Sequence, residues 1–305
     1  MKWNKLGRII APDPGIFWLA DYTGPSFADV DDENSDLISI YVTGRDEKNR
    51  SRIGVVKFDM KEMRVKSVTP EPVLSLGEKG SFDQNGTGYP CIVHADGKKF
   101  MYYVGWVPSV LVSFHNECGL AAESSNGQFE RVSKAGILPP TPEEYLGIGS
   151  SYVLRENPNT WKMWYTCFHK WGDESKGEHK HYYDIKYAES RDGICWYRPD
   201  VLCVTFKDAG EYAIGKPSVL FHDGRYHMWY VYRGESYKIG YAVSNDGKNW
   251  TRQDHLAGID WSESGWDSEM VCYPHCFFWK KQLYMLYNGN GYGKTGVGLA
   301  RLESW

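Results

Sequence analysis

Residues 242–252 read AVSNDGKNWTR, and residues 188–198 read AESRDGICWYR. Each copy carries an Asp-Gly pair, which supplies the left-handed backbone that a tight hairpin needs. Each then carries a Trp (Trp196, Trp250) that opens the next strand with a large packing group. A stretch spelled twice calls for a repeat search before any motif is weighed.

The repeat runs through the chain. The strand-like runs LISIYVTG, FMYYVGW, KMWYTCF, HMWYVYR and YMLYNGN align Tyr41, Tyr103, Tyr165, Tyr230 and Tyr287. After them come RIGVVKFD, CGLAAESS, IKYAESRD, IGYAVSND and VGLARLES. Before four of them stands a Pro-led run, at Pro25, Pro90, Pro217 and Pro274, while the third copy has Ser151-Tyr152-Val153. Short strands separated by turns such as HADGKK and FHDGRY, repeated five times, predict an all-β fold: a five-bladed β-propeller with four antiparallel strands per blade. The last unit ends after its third strand. KWNKLGRII, at Lys2–Ile10, has the Trp-led character of a fourth strand and is expected to close the last blade, so that residues 1–305 form one domain.

Bulk properties narrow the partners. Of 305 residues, 42% are hydrophobic and 15% aromatic, enough for a packed core and unlike a disordered chain. The net charge of −4, with no basic block, gives nucleic acid no footprint. No apolar run is long enough for a membrane span or a signal peptide. The seven cysteines are scattered without a CxxC pair, which argues for reduced thiols and a cytoplasmic location. No metal and no cofactor are expected. His169, His179 and His181 belong to a polar insertion, and the acidic DVDDENSD stretch lacks the Gly and terminal Glu of a calcium loop.

The topology sorts loops onto two faces. Asp-Gly hairpins fall on one. The other gathers the loops leading into each innermost strand and those joining strands two and three. The lead-in loops carry Asp21, Asp83, Glu143, Glu144, Glu211, Asp267 and Glu269. The strand-two-to-three loops carry Arg45, Asp46, Trp106, His169, Trp171, Arg233, Glu235, Asn288, Asn290 and Lys294, and His275 sits on an innermost strand. Acids, amides, Arg and Trp around one funnel suit a polyhydroxylated ligand, with aromatic faces on apolar sugar faces and polar groups on the hydroxyls. Asp21, Asp83 and Glu211, with Glu269 or Asp267 as substitutes, come from different blades and are the candidate catalytic acids.

GKPSVLFHDGRYHMWYVYRG, GYPCIVHADGKKFMYYVG and the SNDGKNW turn resemble the five-bladed propeller glycosidases, such as glycoside hydrolase families 32, 43 and 130. The closing run CYPHCFFWKKQLYMLYNGNGYGKTGVGLA resembles glycosidase-like proteins of surface-polysaccharide biosynthesis. The resemblance implies a glycan- or sugar-active enzyme, most simply a glycoside hydrolase. Its alternatives are a glycosyl-transfer or sugar-modifying step, or a carbohydrate-binding propeller without catalysis, and it implies a carbohydrate or nucleotide-sugar ligand. Families 32 and 43 carry acids at the start of innermost strands. Here Gly24, Tyr89, Lys216 and Tyr273 stand before the prolines, so that catalytic trio does not carry over. Lys216 and Tyr273 become candidate substrate contacts instead.

Overall fold

Alternation of aromatic and β-branched residues makes each tyrosine-anchored run a strand. In the computed structural model, which describes residues 1–173, 177–178 and 180–305, these strands are Leu37–Arg45, Lys98–Pro108, Thr160–Trp171, Arg225–Arg233 and Gln282–Asn288. Their five tyrosines are all buried. Each strand pairs antiparallel with a preceding, innermost one: Tyr22–Asp29, Gly86–Ala95, Ile148–Asn157, Ala213–His222 or Cys272–Trp279. On its other side each pairs with a third strand: Ser51–Asp59, Phe114–Glu123, His181–Ser190, Tyr237–Ser244 or Val297–Ser304. Short outer strands follow in the first four units. In the fifth, the outer strand is Lys2–Ile10, antiparallel to Val297–Ser304.

The fold is all-β. Among the described residues, hydrogen bonding gathers the strands into sheets of four, eight and nine. The larger two arise because single parallel bridges, Ser51 to Gly86 and Tyr183 to Ala213, join neighbouring units. The innermost strands lie side by side in chain order, and Cys272–Trp279 lies against Tyr22–Asp29.

Asp96-Gly97 and Asp223-Gly224 have positive φ at both residues, the signature of two-residue hairpins. The duplicated stretch at residues 188–198 and 242–252 is also a turn. Asp192 Oδ1 accepts from the N–H groups of Ile194 and Cys195, and Asp246 Oδ1 from those of Lys248 and Asn249. Gly193 and Gly247 are left-handed, and their carbonyls accept from Trp196 Nε1 and Trp250 Nε1. The same carbonyls accept from the preceding unit: Tyr102 Oη on Gly193 at 2.7 Å and Trp164 Nε1 on Gly247 at 2.7 Å. The repeat is thus a turn and a clamp between neighbouring units.

One irregularity recurs and positions the site. Every innermost strand slips register at the corresponding place: Thr23/Ser26, Gly88/Cys91, Ile148/Ser151, Gly215/Ser218 and Cys272/His275. Such bulges re-aim side chains. At three of them the residue before Pro is left-handed without being glycine: Tyr89 (φ 55°), Lys216 (47°) and Tyr273 (54°). Each costs on the order of 1–3 kcal/mol, so the surrounding structure must impose it. A hydroxyl from the preceding unit takes the N–H displaced from the ladder in two cases. Thr43 Oγ1 accepts from Tyr89 N at 2.9 Å, and Ser150 Oγ accepts from Lys216 N at 3.0 Å.

Candidate functional site

The bulges open onto a pocket of about 730 Å³, a size suited to a small-molecule ligand. Its wall takes Tyr22, Tyr89, Ser150, Lys216 and Tyr273 from the starts of the innermost strands. The strand-two-to-three side adds Arg45, Glu47, Phe114, Phe168, His181, Arg233, Tyr237, Tyr292 and Lys294. This is the face on which the sequence gathers its polar loops. Asp21, Lys216, Arg233, Tyr273 and Lys294 all reach the lining.

The lining is rich in tyrosine and positive charge. Tyr22, Tyr89, Tyr183, Tyr237, Tyr273 and Tyr292 present hydroxyls and ring faces. Tyr89 packs edge-on to Tyr273 at 5.5 Å, Tyr237 likewise to Tyr292 at 5.8 Å, and Tyr183 shares a hydrogen bond with Tyr237. The Arg45 guanidinium lies 4.4 Å from the centroid of the Tyr22 ring, and that of Arg233 lies 5.3 Å from both the Tyr212 and Tyr237 centroids. Burial raises the Tyr22, Tyr237 and Tyr273 hydroxyls well above their ordinary range, so they are neutral donors and acceptors at pH 7. Lys216 is 5% exposed and its Nζ donates to the Pro274 carbonyl at 2.9 Å. Burial pushes its pKa down to about 8, with the protonated thiols of Cys91, Cys276 and Cys272 nearby.

The other acids expected there lie outside the lining. Asp83 is fully buried, outside the lining, and held by Ser81 Oγ, Tyr103 Oη at 2.9 Å and Arg131 Nε at 2.7 Å. Glu144 accepts from Tyr165 Oη at 2.9 Å, Lys186 Nζ at 3.1 Å and Arg198 NH1 at 2.8 Å. Asp267 is buried, with Tyr287 Oη at 3.1 Å and Lys5 Nζ at 2.7 Å. In the fourth unit the repeat tyrosine, Tyr230, donates to Asp254, and Arg252 bridges Asp254 and Glu211. Four units therefore repeat one device: the anchoring tyrosine, a carboxylate, and a cation from the outer part of the sheet. Asp83, Glu211 and Asp267 are engaged in it and are not part of the lining. Glu269 is exposed and outside the lining, and its N–H donates to Asn290 Oδ1.

The remaining expected contacts divide similarly. Trp171 stacks on Phe168 at 5.3 Å and packs at a tilt against His181 at 4.7 Å, backing the pocket wall through them. Trp106 lies outside the lining and donates to Ser51 Oγ at 2.7 Å. His169 pairs with Asp184 at 2.6 Å. His275 is buried between Phe27 and Phe277 with Nε2 3.2 Å from the Ala28 carbonyl; burial, then Lys216, holds its pKa far below the ordinary value, so it is neutral. Asn288 ties the last unit to the first through the Thr23 carbonyl, at 2.6 Å, and Asn290 holds the 265–270 loop. His179 lies outside the described residues. On the acidic hairpin, Asp29 and Asp31 face Lys99 Nζ at 2.9 and 2.6 Å and His94 Nε2 at 2.7 and 3.6 Å.

Sequence reasoning missed Tyr22, Tyr89, Tyr183, Tyr237, Tyr292 and Glu47 as lining residues. The signal for Tyr89 was present: it holds the same pre-proline slot as Lys216 and Tyr273. Glu47 was hidden by its neighbour. Asp46 turns inward to Arg50 and Arg52 and leaves Glu47 facing out.

No family model matches the chain. Solved structures with the same fold include a protein described as "Glycoside hydrolase" (TM-score 0.74, 18% identity, covering 99% of this chain and 92% of that one). A thermostable family-43 glycoside hydrolase aligns with TM-score 0.70 and 15% identity over 93% and 90% of the two chains. The Bombyx mori GH32 beta-fructofuranosidase BmSUC1 aligns with 0.67 and 12% over 97% and 62%. At these identities the likeness is one of fold. In sequence, the chain is 35% identical over 308 residues to "Uncharacterized protein MT1551" of Mycobacterium tuberculosis strain CDC 1551 / Oshkosh and to "Uncharacterized protein Rv1502" of strain H37Rv, covering all of each partner. Similarity at that level along the entire length places the chain in one family with these two mycobacterial proteins.

Proposed function

We propose that this protein is a sugar-active enzyme of the glycoside hydrolase kind, built as one five-bladed β-propeller over residues 1–305 and closed by its N-terminal strand. Five tyrosine-anchored units, the side-by-side innermost strands and the pairing of Lys2–Ile10 with the last unit support that architecture. The observation that carries the function is the set of bulges at one register, three of them strained, that turn Tyr89, Lys216 and Tyr273 into a single pocket. Strain retained at a concave, tyrosine-lined site marks a binding or reacting centre.

Hydrolysis of a glycoside requires two carboxyl groups about the bond in most families. Asp21 and Glu47 are the carboxylates on this lining, and they lie on adjoining segments, since Asp21 N donates to the Arg45 carbonyl. In this reading they form the proton-transfer pair. The tyrosine hydroxyls and Lys216, Arg233 and Lys294 orient the sugar, with Trp171 behind the wall. Asp21 is exposed, so its replacement leaves the fold intact. Asp21→Asn is expected to lower kcat on a responsive aryl glycoside tenfold or more at unchanged melting temperature. A full rate in Asp21→Asn and in Glu47→Gln removes both from the mechanism.

A second reading has its own support. Tyr89, Lys216 and Tyr273 occupy the pre-proline positions, and Asp83, Glu144 and Asp267 are tied to cations. A site poor in free carboxylates suits glycosyl transfer in surface-glycan assembly, or sugar binding alone. Calorimetric binding of sugars without turnover of any aryl glycoside would favour it.

A further inference from the structure

The pocket carries more positive charge than its environment explains. The chain is net negative, at −4, yet Arg45, Lys216, Arg233 and Lys294 line the pocket against Asp21 and Glu47. Five cations beside the repeat tyrosines are consumed. Arg131, Lys186, Arg198, Arg252 and Lys5 each hold a carboxylate within 3.1 Å. The pocket's cations differ. Among the described residues, Lys216, Arg45 and Arg233 have no carboxylate within ion-pair distance.

Much of their donor capacity is also unspent, although Arg45 NH1 donates to Asn49 Oδ1 at 2.9 Å. The Lys216 ammonium has three N–H groups and one recorded acceptor, the Pro274 carbonyl. The Nε groups of Arg45 and Arg233 are buried without a partner. An ammonium taken out of water without a counterion is costly, and natural cores seldom hold one. Lys216 is held there deliberately: its φ of 47° is strained, and Ser150 fixes its N–H. Arginine and lysine on one pocket lining, with N–H groups left over, are suited to carboxylate or phosphate. The tyrosines around them suit the sugar ring.

We infer that the pocket takes an anionic sugar, its carboxylate or phosphate seated on Lys216 with Arg233 and Arg45 beside it. This inference rests on the sugar-active reading and names its substrate class. The anion completes the unspent donors and supplies the counterion that the folded chain lacks. It also accounts for lysine at a pre-proline position where neutral-sugar chemistry asks for none.

Calorimetric titration of the full chain at pH 7 tests it directly. The probes are glucuronate, galacturonate and mannose 6-phosphate, with glucose, galactose and mannose as neutral counterparts and inorganic phosphate alone. At least one anionic sugar is expected to bind tenfold or more tightly than its neutral counterpart. The carboxylate and phosphate arms show which anion is preferred. Lys216→Met and Arg233→Met are each expected to cut that preference to about threefold or less. Parity of every anionic sugar with its counterpart, or a preference untouched in both variants, overturns the inference and leaves the sugar-active reading standing. Binding of inorganic phosphate, lost in Lys216→Met, with no sugar bound at all, keeps the anion seat and sinks the sugar-active reading.

Discussion

Glu144→Ala should destabilise the protein by about 3–5 kcal/mol while leaving the chemistry of the folded fraction unchanged. Glu144 is 4% exposed and accepts hydrogen bonds from Tyr165, Lys186 and Arg198. Removing the shared carboxylate leaves two cations and a tyrosine hydroxyl facing one another in a buried site. Breaking a buried ion pair from one side carries a penalty of about this size, because the partner's desolvation is no longer offset. For a chain of this length, each kcal/mol moves the melting temperature by roughly 2 °C, so the midpoint should fall by on the order of 10 °C. Asp83→Ala should act in the same direction but less, since Arg131 is partly exposed and can turn to water. Denaturant titration alongside initial rates normalised to folded protein separates the cases. A structural carboxylate changes the midpoint and spares the normalised rate. If Glu144→Ala or Asp83→Ala kept the wild-type midpoint and lost activity, these acids would be catalytic after all.

That experiment bears on what a sequence can and cannot reveal. The tyrosine steps, the Asp-Gly turns and the Trp-led outer strands carry period and turn chemistry, both local, so the all-β repeat was readable. The face carrying the pocket was readable for the same reason. The direction of each lead-in carboxylate was not. Asp83 meets Arg131 48 residues on, Glu144 meets Arg198 54 residues on, and Asp267 meets Lys5 at the far end of the chain. Nothing near the acids announces these partners, and an acid beside a funnel has the same spelling whether it points in or back. Asp21 differs in having no cation bound to its side chain among the described residues, which only coordinates disclose. The bulges are intermediate: the prolines mark their positions, but the left-handed φ that swings Tyr89, Lys216 and Tyr273 inward is a property of the folded strand pair.

Lys216→Met gives the opposite result to Glu144→Ala, and the sign depends on pH. In the folded chain burial lowers the Lys216 pKa from 10.5 to about 8. Below pH 8 both folded and unfolded states are protonated, and the folded state bears the full cost of the buried charge, roughly 3 kcal/mol at about 1.4 kcal/mol for each tenfold step. Between pH 8 and 10.5 the unfolded chain holds a proton on Lys216 that the folded chain has shed, so the Lys216 contribution to wild-type stability rises with pH through this window. The neighbouring thiols act the other way: Cys91 is raised to about 12 and Cys272 and Cys276 well above their usual value, so their unfolded forms ionise within this window and lower the stability of wild type and variant alike, leaving the difference between the two to report Lys216. Methionine keeps the length of the side chain and removes the charge, but it forfeits the bond to the Pro274 carbonyl, a loss of about 1–2 kcal/mol. At pH 7 the variant should therefore be the more stable by about 1–2 kcal/mol, and above pH 10.5 the less stable by a similar amount. Denaturant midpoints of both proteins from pH 6 to 11 should cross. A variant weaker than wild type at every pH would mean that Lys216 is a structural residue, with its charge satisfied inside the fold. A crossing would mean that the free protein bears the cost of a buried charge, the sign expected when a residue is retained for its ligand at the expense of the fold.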